Sequence, residues 1–273
     1  MTRRILTAAI LIPFVLASLL LFPLPAFLFI IDVFLLVALV EFSRLASASG
    51  SKFYSVSYFL ALSAPWVVTY RSDLTGAFAL VTVLITLIWC LFSTREVRNG
   101  FANVAGNLLG LCYLAIPFSL IATFHHASCH SSVRPGRPYE LILVLVIVWV
   151  SDASALFVGR SIGKHQVTPS ISPKKTLEGY LAALVFPLLT AVAIGGYLVP
   201  ENPMLIIILA SLIVSVAGVF GDLFESILKR GAKIKDTSNL IPGHGGVLDR
   251  IDSLLFAVPA YYLSRALFAY LMN

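Results

Sequence analysis

The run Leu141-Ile-Leu-Val-Leu-Val-Ile-Val-Trp-Val150 presents ten consecutive apolar side chains, and runs of this kind recur along the whole chain. In the hydrocarbon of a bilayer no water is available to the backbone, so each such segment must satisfy its own N–H and C=O groups and is forced into a helix. A hydrocarbon core of roughly 30 Å takes about 20 residues at 1.5 Å each. On that scale nine spans are predicted, near 5–22, 24–40, 53–70, 74–92, 101–124, 139–158, 177–199, 203–221 and 253–272. Hydrophobic residues make up 59% of the chain and the mean hydropathy is +0.96, which excludes a soluble globular domain. The expected fold class is all-α, a polytopic membrane helical bundle of about nine helices forming one integral membrane domain over 1–273. The apolar stretch behind Arg3 and Arg4 resembles a signal peptide, but no small-residue cleavage site ends it and a second span follows at once. It reads as a retained first helix.

Cationic loops stay on the cytosolic side during insertion. With the N-terminus inside, fifteen Lys and Arg fall on the cytosolic side and three (Arg71, Arg134 and Arg137) on the other, with Arg265 inside the last span. That asymmetry predicts a cytosolic N-terminus. The net charge of +6 belongs to membrane-flanking loops with no basic helix or aromatic stacking platform, so anionic lipid is the expected counterpart and nucleic acid is not. Cys90 and Cys112 fall inside spans and Cys129 in an outer loop, which makes no disulfide framework.

The first five helices, within 1–138, read as scaffold. The half from 139 to 273 carries two long cytosolic segments, 159–176 and 222–252, and most of the remaining ionisable groups. The segment Ser226 to Asp252 holds five cations, three carboxylates, a histidine and a Gly-Gly pair, against 12% charged residues in the chain overall. Charge concentrated in this way beside a membrane points to a phosphorylated substrate.

Carboxylates within membrane helices are costly unless they face a polar cavity or a partner. Three qualify: Asp32, Asp152 and Asp222. Asp152 and Asp222 lie toward the cytosolic ends of their helices and can face one cavity, whereas Asp32 lies mid-span in the scaffold half. If the eighth helix continues past Asp222, then Asp222, Ser226 and Lys229 fall at i, i+4 and i+7 on one face. An ordinary juxtamembrane helix end would place Lys229 and Arg230 similarly. Downstream, Gly243, Gly245 and Gly246 allow a tight turn whose N–H groups can approach phosphate. Asp249 and Asp252 follow at i, i+3, either capping the last helix or, for Asp249, completing an oxygen-rich site with Asp222 for a hard cation such as Mg2+. Lys174 and Lys175 suit phosphate as point charges, with a positive-inside anchor as the alternative. Glu178 is expected to serve as a capping or dipole partner. His126 and His130 share i, i+4 spacing and with Cys129 form a weaker metal motif on the outer side.

The run Ser226-x-Leu-Lys-Arg-x4-Lys-Asp-x-Ser-x2-Leu-Ile-Pro-Gly-His-Gly-Gly-x-Leu-Asp-Arg-Ile-Asp252 resembles the signature of the phosphatidate cytidylyltransferases, or CDP-diacylglycerol synthases. A second stretch, Ser151-Asp152 through Gly159-Arg160 and Gly163-Lys164 to Ser172-Pro-Lys-Lys-Thr-x-Glu-Gly179, is similar to that family's upstream conserved region. The likeness departs where the family commonly has Asp-Thr-Gly-Ala and this chain has Asp152-Ala-Ser-Ala155, and where a Gly-rich continuation is replaced by Tyr180-Leu-Ala-Ala183. The resemblance implies transfer of CMP from CTP to phosphatidate, giving CDP-diacylglycerol and pyrophosphate. It implies Mg2+, with a monovalent cation such as K+ as an optional second ion. Carried over by position, it implies Asp222, Asp249, Lys229 and His244 as catalytic residues, and Asp222, Asp249 and Asp152 as metal ligands. Ser172, Lys174, Lys175, Ser226, Arg230, Lys235, Gly245, Gly246 and Arg250 are the implied substrate contacts. The expected partners are CTP, phosphatidate and membrane lipids, with a homodimer left open, in a bacterial inner membrane with the site on its cytosolic face.

Overall fold

The computed structural model describes residues 2–129, 138–169, 171–241 and 245–272. Ten helices run through them: α1 Thr2–Leu21, α2 Leu24–Ala48, α3 Ser55–Tyr70, α4 Thr75–Ser93, α5 Gly100–Gly110, α6 Ile116–Cys129, α7 Tyr139–Ile162, α8 Leu177–Leu198, α9 Met204–Gly231 and α10 Leu248–Met272. A π-helical turn, Leu111–Ala115, joins α5 to α6 into one rod. No strand forms among the described residues, as expected of segments that must satisfy their backbone internally.

Seven of these rods are long and apolar enough to cross a membrane. They are Leu24–Ala48, Ser72–Ser93, Val97–Ser128, Tyr139–Ile162, Leu177–Leu198, Met204–Gly231 and Leu248–Leu271. The two remaining predicted spans are α1, of 20 residues, and α3, whose 16 residues reach about 24 Å at 1.5 Å per residue.

The chain divides into two compact units, one formed by 1–137 with 228–250 and the other by 138–227 with 251–273. The polar block from Leu228 to Arg250 therefore groups with the N-terminal helices, not with the C-terminal half to which its position in the sequence assigns it.

In the first unit, α2, α3 and the α5–α6 rod pack around Leu28, Leu35, Leu39, Leu60 and Leu114, all buried. Asn107, also buried, holds the α2–α3 link: its Oδ1 accepts from Tyr54 N at 2.9 Å and Ser57 Oγ at 2.7 Å, and its Nδ2 donates to Lys52 O at 2.7 Å.

In the second unit, α7 and α8 lie against each other along their length. Ser151 Oγ donates to Ala183 O at 2.9 Å and Ser154 Oγ to Ala182 O at 3.1 Å, so small polar side chains bind the two helices where lipid supplies no hydrophobic drive. Ser154 lies in Asp152-Ala-Ser-Ala155 and Ala182 and Ala183 in Tyr180-Leu-Ala-Ala183, the two stretches that depart from the pattern the sequence resembles, and both meet in this seam. Ser211 of α9 donates to the carbonyl of Pro187 in α8 at 3.3 Å. At Gly221 the backbone carbonyl of Asp252 comes so close that a Cβ could not be accommodated, which draws α9 against the start of α10 beside Asp222.

Candidate active site

Two polar centres stand out, one in each unit. The second unit gathers carboxylates from three helices: Asp152 on α7, Asp222 on α9 and Asp252 on α10. Asp222 and Asp252 lie near enough to Asp152 for each to disfavour a negative charge there, while Lys175 acts on Asp152 in the opposite sense. Lys175 Nζ meets Asp222 Oδ2 at 2.7 Å. Ser253 Oγ donates to Asp152 Oδ1 at 3.1 Å, and Ser253 N to Asp252 Oδ1 at 2.8 Å. Asp152, well inside α7, is exposed rather than packed into the protein core.

Lys175 reaches Asp222 because its loop is folded back on itself. Val167 N donates to Lys175 O at 3.3 Å and Leu177 N to His165 O at 2.8 Å, forming a short antiparallel bridge between Gln166 and Thr176. Ser172 builds the bend, its N–H donating to Thr168 O at 2.8 Å while its carbonyl accepts from Lys175 N at 3.2 Å. Thr176 caps α8 by accepting from Gly179 N at 3.3 Å. Glu178, in the first turn of α8, accepts from its own backbone N–H, as expected of a residue serving its helix end, and also from the backbone N–H groups of Lys164 and His165 at 3.1 and 3.3 Å, pairing with His165 Nδ1 at 2.7 Å. One side chain thus serves the helix start and clamps the far end of the loop. Lys174 is exposed.

The first unit holds Asp249 at the start of α10, where every direction of its carboxylate is taken. Oδ1 pairs with Lys229 Nζ at 2.7 Å, and Oδ2 accepts from Gly246 N at 2.7 Å, Thr237 Oγ1 at 2.9 Å and Thr237 N at 3.0 Å. With side chains only 12% and 4% exposed, Lys229 and Asp249 form a buried ion pair, of the kind whose rupture costs about 3–5 kcal/mol. Gly245 takes φ +85°, a left-handed conformation, and a Cβ there would stand 2.6 Å from Asp249 Oδ2. Helix α9 is unbroken to Gly231, so Asp222, Ser226 and Lys229 do share one helix.

Glu41 was not foreseen. It lies on α2 within the presumed scaffold, 2% exposed, and faces four donor groups of the polar block, one of them the Thr237 hydroxyl, whose single proton it shares with Asp249. The donors are Ser238 Oγ at 2.6 Å, Leu248 N at 2.8 Å, Val247 N at 3.1 Å and Thr237 Oγ1 at 3.2 Å. Nothing in its own segment, Val40-Glu-Phe42 just past the predicted span 24–40, pointed to these donors. Asp252, read from the sequence only as a neighbour of Asp249 at i+3, belongs to the other unit with Asp152 and Asp222.

Among the remaining expected residues, Ser226 is buried, while Arg230, Lys235 and Arg250 are exposed. Arg230 also donates to Ile234 O at 3.3 Å. His244, with Pro242 and Gly243, lies outside the described residues, as does His130 of the outer-side metal motif. His125, next to that motif, is buried and stacks on Phe27 with ring centroids 4.1 Å apart. Asp32 is held by Trp66, whose Nε1 donates to Oδ2 at 2.6 Å, the neighbouring-helix bond that explains an acid at this depth. Asp32→Asn keeps the shape and an acceptor for that bond. It is expected to cost no more than about 1.5 kcal/mol of stability, read from thermal unfolding in detergent, and to leave turnover unchanged.

The sequence of the cytidylyltransferase family, taken as a family model, matches residues 2–268, nearly the whole chain. The chain belongs to the cytidylyltransferase family. Among this family's curated members, the chain is 37% identical over 199 residues to the phosphatidate cytidylyltransferase of Bacillus subtilis (strain 168), covering 70% of this chain and 68% of that one. It is 31% identical over 235 residues to the phosphatidate cytidylyltransferase of Staphylococcus aureus (strain COL), covering 82% and 85%. The phosphatidate cytidylyltransferase of Staphylococcus epidermidis (strain RP62A) is 30% identical over 230 residues at the same coverage. Among the described residues, the carboxylate cluster with Lys175 and the Lys229–Asp249 centre are two places where opposite charges meet at 2.7 Å.

Proposed function

We propose that this chain transfers CMP from CTP to phosphatidate, forming CDP-diacylglycerol and releasing pyrophosphate. The observation that carries the reading is the Asp222–Lys175 pair beside Asp152 and Asp252, in a polytopic helical protein whose relatives bear that activity's name. A phosphate oxygen of the lipid attacks the α-phosphorus of CTP, a new P–O bond forms, and the α–β anhydride bond breaks with its electron pair leaving on pyrophosphate. The lipid phosphate is already ionised at neutral pH, so no strong general base is required.

What the site must supply is charge management. Two unit charges about 5 Å apart repel by roughly 3 kcal/mol at an effective dielectric of 20. Several such pairs would prevent the encounter unless cations intervene. In the second unit Lys175 and the exposed Lys174 are the cations offered to phosphate, and in the first unit the exposed Arg230 is. Lys229, set by Asp249, is the buried one. The glycine turn at Gly245-Gly246 keeps its backbone bare for close approach of phosphate.

Mg2+ fits the donor set of the second unit. Among the described residues no three His, Cys, Asp or Glu side chains converge as a ready-made metal cage, and Mg2+ characteristically uses one or two carboxylates, completing its shell with water and substrate phosphates. Asp222, with Asp152 as the second carboxylate, would hold it, and when bound it would offset the charge developing on the phosphates. Asp249 takes a different part in this reading, since its four hydrogen bonds commit it to Lys229 and the turn.

The Lys and Arg distribution supports a cytosolic N-terminus and a site opening to the cytosolic leaflet of a bacterial inner membrane, with α1 and α3 added to the seven longer spans. Diacyl chains enter from that leaflet between helices. Purified protein in detergent, given labelled CTP and phosphatidate, is expected to form labelled CDP-diacylglycerol with Mg2+, to stop on EDTA, and to resume when excess Mg2+ is restored. Absence of product with both substrates and Mg2+ present would overturn the reading.

A further inference from the structure

The geometry points to Glu41 as the positioning residue of the site: a carboxylate on α2 that sets the glycine turn and, through Thr237 and Asp249, the Lys229 ammonium. This rests on the cytidylyl-transfer reading and adds to it a residue from the N-terminal helices. Each oxygen of Glu41 faces one backbone N–H and one hydroxyl. Oε1 takes Val247 N at 3.1 Å and Ser238 Oγ at 2.6 Å, and Oε2 takes Leu248 N at 2.8 Å and Thr237 Oγ1 at 3.2 Å. Thr237 Oγ1 also stands 2.9 Å from Asp249 Oδ2, so a single hydroxyl lies between the two acids. Asp249 in turn holds Lys229 Nζ at 2.7 Å.

Packing alone does not call for this arrangement. An acid buried among membrane helices is costly to keep, and an apolar side chain would fill the same space. Four donors aimed at one group require four acceptor sites, and a carboxylate supplies them at a helix start where N–H groups are otherwise unpaired. An amide cannot do this. Gln at position 41 would turn an NH2 toward either Val247 N–H or Leu248 N–H, setting donor against donor. Gly246 completes the fit, because a Cβ there would lie 2.5 and 2.6 Å from the Glu41 oxygens.

The test compares Glu41→Gln, Glu41→Asp and Thr237→Val in the full chain, purified in detergent, with CTP and phosphatidate as substrates and turnover expressed per folded molecule. Glu41→Gln is expected to lower kcat at least about tenfold, the equivalent of about 1.4 kcal/mol in the barrier, with the KM for CTP changing less than about threefold. Glu41→Asp, which retains the charge on a shorter stem, recovers part of the loss. Thr237→Val leaves both acids in place and severs the link between them, so its kcat falls while the protein remains folded. It carries the test if Glu41→Gln does not fold. Amide hydrogen exchange over 236–250 supplies a readout independent of catalysis, expected to quicken in Glu41→Gln while α7 and α8 keep their protection. Active wild type together with a Glu41→Gln or Thr237→Val protein of undiminished kcat overturns the inference, as does unchanged exchange over 236–250. Inactive wild type overturns the cytidylyl-transfer reading instead, and the exchange result then decides whether Glu41 sets the turn.

Discussion

Asp222→Asn is expected to lower kcat for CDP-diacylglycerol formation by about 10²–10³-fold, the range seen when one preorganised electrostatic group is removed from an active site. The substitution preserves shape and removes one negative charge from the cluster with Asp152 and Asp252, leaving Lys175 without its counter-ion at 2.7 Å. Stability is expected to change little. With its side chain 38% exposed, Asp222 forms a partly solvated pair with Lys175, and such pairs contribute no more than about 1 kcal/mol. A large loss of turnover with a melting temperature near that of wild type therefore separates chemistry from folding. Steady-state kinetics over a range of Mg2+ concentrations, alongside thermal unfolding, provide both numbers. Turnover above about a tenth of wild type with the same Mg2+ dependence would remove Asp222 from the metal and substrate site, since loss of a direct ligand is not so mild.

Gly246→Ala is expected to be more damaging to the fold than any other single methyl group added to the polar block. The new carbon would press on both Glu41 oxygens, at 2.5 and 2.6 Å, and on the Thr237 hydroxyl. None of these can retreat freely, because Glu41 is held by four donors and Thr237 is bonded to two acids. Overpacking of this kind costs about 1–3 kcal/mol, and here the relief available is to break hydrogen bonds to buried carboxylates, which adds to it. The expected result is turnover below about 1% of wild type and a lowered melting temperature, since the turn and Asp249 move together. Gly245→Ala meets a different obstacle, a positive φ of +85°, for which an L-residue pays about 1–2 kcal/mol. Wild-type turnover and stability in Gly246→Ala would show that the turn adapts and that Glu41 does not fix its geometry.

Much of the site was visible before any folding. Asp152 and Asp222 stood out because an acid in an apolar run needs a reason, and Lys175 because its loop sits at the mouth of a span. Asp32 carried the same kind of signal. A single bond from Trp66, 34 positions away, gives it a structural explanation that its own segment does not reveal. Glu41 had the reverse fate: nothing in its neighbourhood marks it, and its donors lie 196 to 207 positions further along the chain. Asp249 and Asp252 share a helix turn in sequence, yet one is bound to Lys229 and the glycine turn while the other joins Asp152 and Asp222.

The sequence by itself determined that this chain is a bundle of membrane helices and that its charge is concentrated in the segments around 152–179 and 222–252. Both follow from local properties: the length of an apolar run against the thickness of hydrocarbon, and the cost of placing a charge there. Only the tertiary structure decided which charge answers which. That Lys175 pairs with Asp222, that Lys229 pairs with Asp249, and that an acid from α2 organises the glycine turn depend on how helices far apart in the chain come to pack. Hydrogen bonds and ion pairs act over about 3 Å, a distance that spacing along a chain specifies within one helix and leaves unspecified between helices.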